Sequence, residues 1–120
     1  MQELLNRKAN SQLTVLVVWE PILPTDWRPP SKSTMARVTD RRVRQFWDPD
    51  HLVATALSEL AKQKPGQPQP ECCVKNGFHW DEAILYGPEE HWKDAPGAAY
   101  WNGPVWKIIP GLENTLASRR

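Results

Sequence analysis

The apolar positions of the chain fall into short, well separated clusters. The first is Leu13-Thr14-Val15-Leu16-Val17-Val18-Trp19, continuous and β-branched, without alternation. That is the pattern of a strand covered on both faces. It stops at Glu20-Pro21, and Pro24, Pro29 and Pro30 follow. Proline cannot donate to a sheet ladder and disfavours helix in the residue before it, so residues 20–30 read as an extended loop. Ser31 can cap a short helix running through Ala36 to Val38, and Val43-Arg44-Gln45-Phe46-Trp47 reads as a second strand. The clearest helix start comes next. Asp48 suits an N-cap, Pro49 the first helical position, and Asp50 adds negative charge near the positive helix end. Leu52, Val53, Ala56, Leu57 and Leu60 then share one face of a helix expected from about Pro49 to Lys62.

The polar, proline-rich stretch 64–70 ends that helix. Residues 78–86, from Phe78 to Tyr86, read as a third strand closed by Gly87-Pro88, and Val105-Trp106-Lys107-Ile108-Ile109 as a fourth. Pro110 in a first turn, with Leu112 and Leu116 four apart, suggests a short closing helix. Residues 1–12 are mostly polar, a flexible or short helical extension in which Glu3-Leu4-Leu5 could form a turn. No repeat or long linker divides the chain, so one domain over residues 1–120 is expected. The order is strand, helix, strand, helix, strand, strand, helix. A strand–helix–strand unit favours a parallel pair, and two consecutive strands favour an antiparallel one. The expected fold is therefore α/β and thioredoxin-like, a mixed four-stranded sheet with helices on both faces.

Three segments carry a resemblance. They are residues 15–22 with Trp19, residues 40–51 with Trp47-Asp48-Pro49, and residues 80–88 with Trp80-Asp81. Together they resemble landmarks of uncharacterised bacterial thioredoxin-like proteins that lack the Cys-x-x-Cys motif. A weaker likeness is to orphan proteins of mobile gene cassettes. The loop after the first strand holds no cysteine here, which excludes thioredoxin-type dithiol exchange through that loop. The resemblance implies a scaffold without a defined reaction.

Composition narrows the partners. Lys and Arg total 15 against 14 Asp and Glu, a net charge of +1, which argues against a polybasic nucleic-acid binder. Arg37, Arg41, Arg42 and Arg44 form a basic cluster beside Phe46 and Trp47, but Asp40, Asp48 and Asp50 flank it. No apolar run approaches the length of a membrane span, and no signal-peptide pattern opens the chain, so a cytoplasmic location and no membrane partner are expected. Seven tryptophans, each able to bury about 150–250 Å², offer enough apolar area for a core without staples.

Cys72 and Cys73 are the only cysteines, and they are adjacent. Neighbouring Cα atoms lie about 2.9–3.8 Å apart, below the usual disulfide range of about 4.4–6.8 Å. Two reduced thiols are thus the default, with a thiol-dependent redox or soft-metal role, or a vicinal disulfide switch, as alternatives. Zinc needs three or four ligands; His79 is the nearest candidate, and His51 and His91 have no recognisable spacing to it. No metal or cofactor is expected.

If the thioredoxin-like sheet forms, Glu20, Asp26, Trp27, Cys72, Cys73, His79, Trp80 and Asp81 converge at the ligand end of its strands. Glu20, Asp26, Trp27, Trp80 and Asp81 would line a polar-rimmed aromatic pocket for a small cation or a sugar-like ligand. Asp81 would face away from an inward Trp80 and need water or a partner such as Arg37 or Arg44. No catalytic triad, phosphate loop or metal motif is present, so no catalytic residue is assigned. The leading expectation is a non-catalytic binding or interaction module for a small molecule or protein, and a homo-oligomer stays open because Trp92, Tyr100 and Trp101 could meet a second copy.

Overall fold

The protein is described by a computed structural model covering residues 1–9, 11–22, 28–63, 68, 70, 72–75, 77–92 and 97–118. Two compact units are present, Met1–Val53 and Ala54–Arg120. In place of a four-stranded sheet, the described strands form three separate two-stranded sheets. This overturns the thioredoxin-like expectation.

The first unit begins with helix α1 (Gln2–Arg7), whose Leu4 and Leu5 are buried. Strands β1 (Val15–Trp19) and β2 (Val43–Trp47) pair in parallel, Val15 opposite Val43 and Trp19 opposite Trp47. Between them lies α2 (Lys32–Met35), where Ser31 Oγ accepts the Thr34 N–H at 3.2 Å. Both strands and the cap follow from local sequence. The two-sided burial expected of the first strand does not: Leu16 is 60 % exposed and Phe46 is also exposed. A β-branched run reports extended backbone, but cover on each face depends on what packs there.

Arg42 ties this unit together. Its guanidinium donates to the carbonyls of Leu5 (2.8 Å), Lys8 (2.7 Å) and Ser11 (3.0 Å) and to both oxygens of Asp40 (2.8 Å each). All five N–H groups of the side chain are thereby used, some of them on carbonyls that the end of α1 leaves without helical donors. These bonds hold the Asp40 carboxyl well below its ordinary value of 3.8. One residue of the basic cluster is therefore a structural clasp. It also borders an open depression of about 530 Å³ with Ser11, Gln12, Leu13, Thr14 and Arg41, which includes none of the residues expected to line a pocket.

Helix α3 (Leu52–Gln63) starts three residues later than expected. His51 takes a positive φ of 56°, so Pro49 to His51 form a turn and not a first helical turn. The buried Asp48 still serves the helix start: its carboxylate accepts the N–H groups of Leu52 (2.9 Å) and Val53 (2.8 Å). Ala54, Leu57 and Leu60 on this helix are buried, as the periodicity expected of the last two.

In the second unit the single strand expected over residues 78–86 is broken. Strand β3 (Val74–Lys75) pairs antiparallel with β4 (Phe78–His79), with Gly77 at φ 83° in the connection. Strand β5 (Ala83–Leu85) instead pairs with β6 (Tyr100–Asn102). Asp81, at φ 51°, turns the chain between β4 and β5, and such a backbone cannot continue a strand. The run expected as a fourth strand is the first turn and more of α4 (Val105–Ser118), with Ile108 and Leu112 buried on one face. Pro110 lies inside this helix, beyond the first turn where its missing N–H would be harmless. Of the tryptophans, Trp101 is buried, Trp19 and Trp47 are half-buried, and Trp80, Trp92 and Trp106 are exposed. The indoles thus supply less of the core than their number suggested. Among the described residues, no helix is long and apolar enough to cross a membrane.

Candidate redox site

The second unit brings chemistry-bearing groups together around Glu82. Its side chain is only 4 % exposed, and each of its oxygens is engaged. Oε1 accepts the Cys73 backbone N–H at 2.8 Å and His79 Nδ1–H at 3.0 Å; Oε2 accepts Trp101 Nε1–H at 2.8 Å. One buried carboxylate therefore fastens the β3–β4 hairpin to the β5–β6 hairpin. Burial of a carboxylate is tolerable only when donors replace the water it has lost, and here three do so.

Local backbone places each partner. The short β3–β4 pairing sets Val74 opposite His79, and Trp80 N–H returns to the Cys73 carbonyl at 3.2 Å. Cys73 is thus held at both its amide and its carbonyl. The turn at Asp81 brings Glu82 back under the hairpin, three residues from His79. Strand β6 supplies Trp101, whose ring lies 5.3 Å from the His79 ring, tilted by 50°. Gly103 completes the corner. A Cβ there would lie 2.5 Å from the Asp81 carbonyl oxygen, 3.1 Å from Glu82 Cγ and 3.3 Å from Cys73 Sγ, so the close approach requires glycine.

The sulfurs of Cys72 and Cys73 are joined, which corrects the expectation of two reduced thiols. Cys73 is buried at 8 % exposure, whereas Cys72 is partly exposed. Cys72 gives the bonded pair one partly exposed sulfur, the access that attack by an external thiolate requires. Among the described residues, no group of three or more His, Cys, Asp or Glu side chains is arranged to hold a metal ion.

The expected pocket fares differently. Glu20 belongs to the first unit, Trp80 and Asp81 to the second, and Asp26, Trp27 and Pro24 lie outside the described residues. The shared sheet edge that was to gather them is absent, since β1 pairs only with β2 among the described strands. Trp80 is exposed, and Asp81 Oδ1 accepts the Val105 N–H at 3.2 Å, at the start of α4. Cys73 and His79 do meet, but through Glu82 and Trp101, neither of which sequence reasoning selected for a site with them. The Asn-Gly dipeptide at 76–77 is the available signal, a hairpin turn that sets Val74 opposite His79 and Cys73 beside Trp80. Comparison of the chain with protein-family models, with curated proteins and with solved structures finds no match.

Proposed function

We propose that this protein is a thiol–disulfide exchange protein whose working group is Cys72–Cys73. The observation that carries this reading is the bonded cysteine pair anchored, through the Cys73 amide, on the buried Glu82 that also holds His79. Trp101 on the other carboxylate oxygen keeps that anchor in place. A reducing cytoplasm would return the pair to its dithiol form after each oxidation. The test is equilibration of the full chain in glutathione buffers of graded thiol-to-disulfide ratio, followed by acid quenching, alkylation and intact mass. The expected result is one transition from two alkylated cysteines to none. Two alkylated cysteines at every ratio would end the proposal.

A second reading, a protein-binding module, is supported by Trp106, which is 78 % exposed on the first turn of α4. Large exposed indoles mark interaction surfaces more often than they serve solubility. Sedimentation across a concentration range addresses its simplest form, self-association: a concentration-dependent shift lost in Trp106→Gln supports it, and an unchanging monomer removes it.

A further inference from the structure

We infer that the two cysteines have unequal roles, Cys72 as the attacking sulfur and Cys73 as the resolving one. This rests on the exchange reading above and assigns the order of events within it.

Three observations separate neighbours that the sequence makes equivalent. Cys72 is partly exposed and Cys73 is buried, so a small disulfide reaches the first sulfur more readily. Cys73 is pinned by its N–H on Glu82 and its carbonyl on Trp80, which fixes its backbone in the buried corner. Finally, Cys73 Sγ and Glu82 Cγ flank the same point above Gly103. The Cys73 sulfur thus lies against the close-packed Gly103 corner, where an incoming disulfide has less access. Access therefore makes Cys72 the attacking sulfur.

The steps balance with a small disulfide, RSSR, as oxidant. The Cys72 thiolate attacks one sulfur of RSSR; a Cys72–SR bond forms, and RS⁻ leaves with the electron pair of the broken bond. Cys73 then loses its proton to solvent and attacks Cys72 Sγ. The Cys72–Cys73 bond forms, and the second RS⁻ leaves. Two protein thiols are oxidised, and RSSR is reduced to two thiols once the RS⁻ ions take up protons. A small thiol reverses the sequence by attacking Cys72.

The experiment uses the reduced wild-type chain and substoichiometric iodoacetamide, followed by peptide mapping, so it needs no variant that might misfold. Cys72 is expected to carry label in excess of Cys73 on the order of tenfold. Reduced Cys73→Ser and Cys72→Ser are then mixed with glutathione disulfide and followed by intact mass. The variant retaining Cys72 is expected to form the mixed disulfide faster by a similar factor. Equal or reversed labelling, in a wild-type chain that still forms its disulfide in glutathione buffer, overturns the assignment and leaves the exchange reading standing. Failure to form the disulfide at any ratio overturns both.

Discussion

Arg42 in the first unit and Glu82 in the second each gather partners from several segments, yet they leave different chemistry behind. Arg42 spends every N–H on a carbonyl or on Asp40, and Asp40 matches its charge. Nothing is left over to act on a ligand. Glu82 accepts from two neutral N–H groups and from His79, so none of these partners carries a permanent charge, in a buried corner that also holds a cysteine sulfur. A clasp whose charges cancel can only hold, whereas a buried charge without a permanent counterion can also bias a reaction. A hub's capacity for chemistry is set by what its partners leave uncompensated, not by how many there are.

The largest expected effect breaks the second hub. Glu82→Ala leaves the Trp101 indole N–H, the Cys73 amide and His79 without their acceptor in a buried site, and should cost about 3 kcal/mol or more. Denaturant unfolding followed by far-UV circular dichroism measures it. Arg42→Ala should lose less, because the carbonyls of the half-buried Lys8 and Ser11 can rehydrate and only that of Leu5 belongs to a buried residue; a larger loss there would reverse the ranking. Next comes Gly103→Ala, which forces a methyl to 2.5 Å from the Asp81 carbonyl oxygen and should cost about 2 kcal/mol. Its thermal midpoint should fall, and Cys73 should become easier to alkylate as the corner opens. Asp48→Ala removes the acceptor for two N–H groups at the start of α3 and should cost about 1 kcal/mol, with Asp48→Asn recovering most of it.

The smallest effect is a pH dependence in the first hub. Arg42 lowers the Asp40 pKa in the folded chain below its ordinary 3.8, so the folded state favours the carboxylate. That contribution is complete above pH 3.8 and is lost as pH falls below it toward the lowered folded value. The stability gap between the wild type and Asp40→Asn should therefore be constant at neutral and mildly acidic pH and close under stronger acid. A gap that closes near neutrality would assign the effect to another group.

What could be read in advance follows the range of the forces involved. Strand Val43–Trp47 and the Ser31 cap rest on residues within five positions of one another and stand as expected, whereas Asp48 serves the start of a helix that begins at Leu52 and not at Pro49. The strand read through residues 78–86 failed because Asp81 adopts a left-handed backbone, which an aspartate tolerates but does not announce. Val105 to Ile109 carries β-branched residues that suit a strand; their packing with Leu112 made them helical instead. The pocket expected at Trp80 and Asp81 depends on a sheet that does not form, and the carboxylate that gathers partners is the neighbouring Glu82.

The amino-acid order by itself determined the extended runs of β1 and β2, the service of Asp48 to the start of α3 and that two sulfurs would always be neighbours. Only the tertiary structure decided that Cys73 would be buried and Cys72 partly exposed, and that Glu82 would meet Trp101 nineteen residues away. The reason is physical: caps and extended runs are selected by energies acting within a turn or two. Burial of a carboxylate becomes favourable only once distant segments have already delivered its donors.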